Sequence, residues 1–179
     1  ELITVAHRVV TELGADQSHF VIKIGNRQFL DSVYDMLDIP QEERQSMTRL
    51  LDAKDKGASI HPDVLRALEH PESFTYFTEL EAGLAARGIT NAVIDPTIAR
   101  GFDYYTGMVF EVFDTHTDNK RAMFGGGRYD TLVEKYGSEP VAAVGFAMGD
   151  VTARDFLETH NLMPPLAPTT QLYLAPLDP

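Results

Sequence analysis

The chain has 179 residues, enough for one ordinary domain or a core with a small appended unit; 44% of it is hydrophobic and 23% charged, a soluble globular composition. It contains no cysteine, which excludes disulfides and thiolate metal sites and fits a reducing, cytoplasmic setting. The net charge of −12 excludes a basic nucleic-acid platform in the bulk sense, so any polyanion has to be met by local cations.

In chain order, residues 2–13 place Leu2, Val5, Ala6, Val9, Val10 and Leu13 on one helical stripe, with Gly14 as its stop. "HFVIKI" (19–24) reads as a short β-branched strand ended by Gly25-Asn26. Residues 27–38 read as a helix with Phe29, Leu30, Val33 and Leu37 inward. Pro40 opens another, with Glu42 and Glu43 in its first turn, where carboxylates suit the helix dipole. Pro62 starts a short helix to about His70. A longer one follows, with Phe74, Phe77, Leu80 and Leu84 at helical spacing and Gly88 as its stop. Residues 27–88 therefore read as a helical insertion between a core segment, 1–26, and a second core segment, 89–161.

From Ile89 the texture turns β-rich. "YTGMVFEVFD" and "RAMFGGG" flank the turn chemistry of "THTDNK", which predicts an antiparallel hairpin. "RYDTLVEKYG" (128–137) reads as a helix closed by Gly137, "VAAVGFAMG" (141–149) as a small-residue strand, and residues 150–160 as a helix capped by Asp150. Residues 162–179 read as a proline-rich linker and the first strand of a further domain, so the chain reads as an excerpt of a longer protein. No apolar run approaches the roughly 20 residues of a membrane span.

Three motifs carry candidate chemistry. "FGGGRYD" places Gly125, Gly126 and Gly127 between a strand and a helix, where backbone can approach a ligand closely; a tight structural turn is an equally good reading. Gly145 and Gly149 of "VGFAMG" could let a flat ring lie on a strand or merely admit a packed helix. "RGFDYYTG" sets Arg100 and Asp103 beside Tyr104 and Tyr105. On a regular strand the two tyrosines would face opposite sides, and the cluster reads either as a buried hydrogen-bond network or as a small polar pocket with an aromatic floor. The six histidines are scattered without a metal pair, so no metal site is expected.

Taken in order, "RGFDYYTGMVFEV", "GGGRYDTLVEKYG" and "AVGFAMGD" resemble the histidyl-tRNA synthetase family. The resemblance extends over nearly the whole chain, though only loosely over residues 41–95. It implies an α+β fold: an antiparallel sheet of class II synthetase type with flanking helices and a helical insertion. It implies histidine, ATP with Mg²⁺ as substrate, and tRNA-His as partners, in a cytoplasmic homodimer with no membrane association and no tightly bound cofactor. Arg100 matches the family's catalytic arginine on the α-phosphate of ATP. Tyr104, Tyr105 and Tyr129 match its histidine-pocket tyrosines, Gly125–Gly127 the wall of that pocket, and Gly145 and Gly149 an ATP-side surface. The family's first two class motifs are not in this chain, so the chain alone is expected to be inactive. The third commonly runs glycine, leucine, glutamate, arginine; here the run is Gly149, Asp150, Val151, Thr152, and Arg154 falls on the opposite helix face. The family also contains a histidine-binding regulatory subunit of ATP phosphoribosyltransferase, which is the alternative reading.

Overall fold

A computed structural model describes residues 1–54, 57–165 and 172. Its centre is a five-stranded sheet in the order β2-β1-β3-β4-β5, formed by Ala92–Ile94, Phe20–Asn26, Met108–Asp114, Ala122–Tyr129 and Ala143–Met148. Six α-helices are described: α1 (Leu2–Glu12), α2 (Arg27–Met36), α3 (Gln41–Asp52), α4 (Pro62–Leu68), α5 (Thr75–Ala85) and α6 (Asp150–Thr159). The expected α+β architecture is present, with one correction. The sheet is mixed: β1 runs parallel to β2, while the β1–β3, β3–β4 and β4–β5 pairs are antiparallel. A parallel neighbour requires a long crossover, and the chain from α2 to α5 supplies it.

Period-two alternation sorts the sheet into two faces. Phe20, Ile22, Ile24, Phe110, Val112 and Phe124 point to one side and join Ile3, Ala6 and Val10 of α1, Leu84 of α5 and Phe156 of α6 in the main core. Fully burying one such side chain contributes about 1.5–3 kcal/mol. Val109, Glu111 and Phe113 alternate to the other side. The predicted stripe of α1 is rotated: Ile3, Ala6 and Val10 face the sheet, whereas Val5 and Leu13 are exposed. A helix stripe wider than its contact leaves its flank in water.

The helices between β1 and β2 make a second core from Phe29, Leu30, Val33, Tyr34, Leu51, Val64, Leu68 and Phe77, with Ala99 from the following loop. Asn26 ends β1 and caps α2, its side-chain oxygen accepting from the amides of Gln28 at 2.8 Å and Phe29 at 3.4 Å.

Three further expectations change. The glycines Gly125–Gly127 lie inside central strand β4, not in a loop before a helix. Residues 128–137 are not a helix: Arg128 and Tyr129 pair with Val144 and Ala143 of β5, and only a 3₁₀ turn, Val133–Tyr136, remains before Gly137, which closes it at φ +85°. Sheet pairing has overridden helix propensity there. Gly149, not Asp150, occupies the α6 cap position; Asp150 is the first helical residue and its carboxylate accepts from the Val151 amide. The strand expected at the end of the chain lies, apart from residue 172, outside the described residues.

Candidate functional site

The second sheet face carries the site, built by the loop between β2 and β3. That loop is fastened along its length. Asp95 donates its amide to the Ile24 carbonyl at 2.8 Å. The Ile98 carbonyl lies directly on Gly25, where a Cβ would overlap it. Arg27 at the start of α2 donates from Nη1 to the carbonyls of Ala99 at 3.2 Å and Arg100 at 3.4 Å. From the helical lobe, Lys54 bonds Thr97, and Gln45 and Arg49 bond the carboxylate of Asp103, Arg49 at 3.1 Å. At the far end Thr106 donates its amide to the Arg128 carbonyl, and its hydroxyl bonds Asp130.

So held, Arg100 adopts a left-handed backbone at φ +52°. A side-chain-bearing residue pays strain there, and such strain persists only where the surroundings over-determine it. The guanidinium reaches onto the sheet face, where Nη1 donates to Oε1 of Glu111 at 2.8 Å. Both side chains are largely shielded from water. Burial pushes the Glu111 carboxyl up from its ordinary value, a rise that Arg100 opposes.

Residues 102–106 turn before β3 begins at Met108. This turn undoes the opposite-face expectation, and Tyr104 and Tyr105 share one side, ring centroids 4.5 Å apart. Tyr129 stands edge-on to Tyr104 at 5.6 Å, and Phe102 stacks on the outer side of Tyr104 at 5.4 Å. Burial, then the bond from Tyr104, push the Tyr105 phenol well above its ordinary range, so it is a neutral hydroxyl at physiological pH.

Together Arg100, Tyr104, Tyr105, Gly125, Tyr129 and Gly145 line one open cavity of about 380 Å³, with Phe102, Leu132, Phe146 and Ala147 completing it. Gly145 leaves room for the Tyr129 hydroxyl, since a Cβ there would lie 2.6 Å from that oxygen. Gly127 lies beneath the Tyr105 ring and Gly126 packs on β5, so neither lines the cavity. Gly149 does not line it either: its amide donates to the Met123 carbonyl, and the Thr152 hydroxyl turns to that same carbonyl at 2.8 Å. Arg154 is exposed and pairs with Glu158 at 2.8 Å. Among the described residues no carboxylate lines the cavity, and no His, Cys, Asp or Glu cluster could hold a metal ion.

Sequence reasoning missed Glu111. Its signal was present as the lone carboxylate inside the apolar run of β3, on the face opposite Phe110 and Val112. Phe102 and Leu132 carried no comparable signal.

A family model described as histidyl-tRNA synthetase matches residues 61–151. A histidine–tRNA ligase of Leptospira biflexa is 30% identical over 99% of this chain and 48% of the relative, so the chain spans about half the length of such curated relatives. The crystal structure of histidyl-tRNA synthetase from Nostoc sp. PCC 7120 superposes with a TM-score of 0.67 at 26% identity, covering 92% of this chain and 48% of that one. A structure from Bacillus halodurans titled as an ATP phosphoribosyltransferase regulatory subunit/histidyl-tRNA synthetase shares the fold, with a TM-score of 0.67 at 21% identity, covering 87% of this chain and 48% of that one. The sheet, its arginine-and-tyrosine cavity and these likenesses converge, and the chain belongs to the histidyl-tRNA synthetase family.

Proposed function

We propose that the full-length protein activates histidine with ATP, taken with Mg²⁺ as substrate, and passes the histidyl group to tRNA-His with release of AMP, as a cytoplasmic homodimer. A histidine carboxylate oxygen attacks the α-phosphorus, an O–P bond forms, and pyrophosphate leaves with the electrons of the broken bond. Charge builds on the phosphoryl oxygens during this step. The forked donors of Arg100 meet that charge without reorganising, because Glu111 and the fastened loop already hold the side chain. The hydroxyls of Tyr104, Tyr105 and Tyr129 bond the imidazole and give the pocket polar selection that an apolar wall lacks. Gly145 forms the floor on which the reacting groups lie, and Gly125 gives room for the Arg100 guanidinium beside it; Gly126 and Gly127 shape the strand beneath, and Gly149 lies outside this cavity.

The observation that carries this reading is that Arg100 and three tyrosines, from two segments of the sequence, line one cavity. Among the described residues no carboxylate lines the cavity to take the substrate amine, which supports the expectation that the chain alone is inactive. The test is histidine-dependent ATP–pyrophosphate exchange. Arg100→Ala in the full-length protein is expected to lower kcat on the order of 10²–10³-fold with the KM for histidine little changed, and the isolated chain to give no exchange. Unchanged single-turnover adenylation in the variant would refute the role of Arg100.

One observation favours the regulatory alternative: Thr152 brings no cation to the start of α6, and its hydroxyl is spent on the Met123 carbonyl. Histidine binding by the full-length protein without any exchange would establish that reading.

A further inference from the structure

We infer that Glu111 and Gly125 form a seat for the Arg100 guanidinium, and that Glu111 is a positioning residue for the reaction at this cavity. The inference rests on the proposed role of Arg100 and extends it to two residues of the sheet. Glu111 and Gly125 are direct cross-strand partners on β3 and β4. Their shared sheet face is the one Arg100 lies on. The guanidinium occupies the space above Gly125: a Cβ there would overlap Nη1 of Arg100 and come within 3.1 Å of Cγ of Glu111. The missing side chain on β4 is thus the slot, and the carboxylate on β3 is its inner wall, bonded to Nη1 at 2.8 Å.

Two features indicate that this pair orients rather than merely neutralises. Arg100 is held at a strained backbone angle, which fixes the direction in which its side chain leaves the loop. The carboxylate engages Nη1, so the remaining guanidinium donors stay available to the cavity that Arg100 lines. An arginine without this anchor has several rotamers over an open cavity, and a small misplacement of a catalytic group is enough to slow chemistry on the order of 10²-fold.

The charged groups acting on Glu111 come from two places. Arg100 arrives from the β2–β3 loop, and Asp52 and Lys54 from the end of α3. Lys23 is its cross-strand partner on β1 and pairs instead with Asp95 at 3.2 Å. Burial weighs on the carboxyl more than Arg100 does, so Glu111 takes a proton at a higher pH than an ordinary glutamate. Below that point the seat loses its negative charge. Adenylation therefore acquires an acidic limb displaced upward from the ordinary glutamate range.

The experiment is ATP–pyrophosphate exchange and single-turnover adenylation on the full-length protein carrying Glu111→Ala, Glu111→Gln, Arg100→Ala, and Arg100→Ala with Glu111→Ala. Glu111→Ala is expected to lower kcat about 10²-fold with the KM for histidine within about threefold, which also shows that the variant is folded. The double variant is expected to be no slower than Arg100→Ala alone, because both changes remove one device. Glu111→Gln keeps an acceptor oxygen and is expected to keep more activity than Glu111→Ala while losing the acidic limb. If Glu111→Ala stays within threefold of the parent while Arg100→Ala is slowed, the seat is refuted and the role of Arg100 stands. If the losses of the two single variants multiply in the double variant, Glu111 acts independently and the inference fails. If Arg100→Ala itself adenylates normally, the proposed function of the arginine falls first and the seat falls with it.

Discussion

Two phenols whose rings touch, Tyr105 and Tyr104, have their hydroxyls 3.5 Å apart, a long bond that leaves both free to exchange it for a stronger one to a ligand nitrogen. Tyr129 sits across from them with its hydroxyl over Gly145. Removing one hydroxyl leaves its ligand partner unpaired in a shielded site, at a cost of about 1–3 kcal/mol. Tyr105→Phe and Tyr129→Phe in the full-length protein are each expected to raise the Kd for histidine, and with it the KM, roughly 5- to 140-fold. Isothermal titration with histidine checks this, and two variants that bind like the parent would end the assignment. At this scale the sequence was readable where chemistry is concentrated. Arg100, Tyr104 and Tyr105 announced themselves with Asp103 as a polar and aromatic cluster, Tyr129 entered only through the family resemblance, and all of these except Asp103 line one cavity. Gly25 was not readable as a site of close approach, because the carbonyl that demands it belongs to Ile98, seventy-three positions on, and no local pattern connects them.

Element boundaries were readable where the backbone itself sets them. Gly14, Gly88 and Gly137, named as stops, all have positive φ, the conformation that a side chain resists. The errors fall where a neighbour decides. Residues 128–129 carry a helical pattern but are claimed by β5, and β2 takes its parallel direction from β1, which lies far away in sequence. The junction of β1 and α2 is the element on which the site most depends: Asn26 caps the helix, and Arg27 next to it carries the loop that presents Arg100. Asn26→Ala removes the acceptor from a position 3% exposed. The expected loss is about 1–2 kcal/mol of stability, read as a lowered urea midpoint at unchanged slope, with Asn26→Asp recovering most of it. An unchanged midpoint would mean that the cap contributes nothing.

At the scale of the whole molecule, Asp114 ties three parts of the main unit together. It ends β3, accepts from Asn119 at 2.6 Å and from the His116 amide at 2.8 Å in the hairpin loop, and meets Nε2 of His160 beyond α6 at 2.7 Å. The His19 ring of the β1 approach packs at a tilt on His160, centroids 4.4 Å apart. Burial alone would raise this carboxyl, but the bonds from Asn119, His116 and His160 outweigh it and hold it below the ordinary aspartate value. A depressed folded-state pKa means that the unfolded chain binds the proton first as pH falls. The contribution of Asp114 is therefore complete above about pH 4 and is lost as pH drops through its lowered value. Asp114→Asn is expected to lower stability at neutral pH and to flatten the acid limb of a stability–pH curve measured by denaturation. A limb as steep as that of the parent would place its origin elsewhere.

The helical lobe departs from the sheet at Arg27, beyond the end of β1, and returns by Asn91 at the opposite end of the strands, because β2 runs parallel to β1 with Ala92 beside Ile22. For an excursion whose two ends are both fixed to the sheet, the entropy of closing it rises only with the logarithm of its length. Doubling it adds about 0.6 kcal/mol. The lobe also carries its own apolar core, so length added at its periphery need not disturb the strands. The sheet and its cavity can thus tolerate large changes in what is inserted between β1 and β2, on one condition: the end of α3 must still reach Asp103, Thr97 and Asp95. Insertions and deletions are free to accumulate in the turn after α4, whose own Val64 and Leu68 belong to that core, while the stretch from Gln45 to Lys54 keeps a constant distance from the arginine loop.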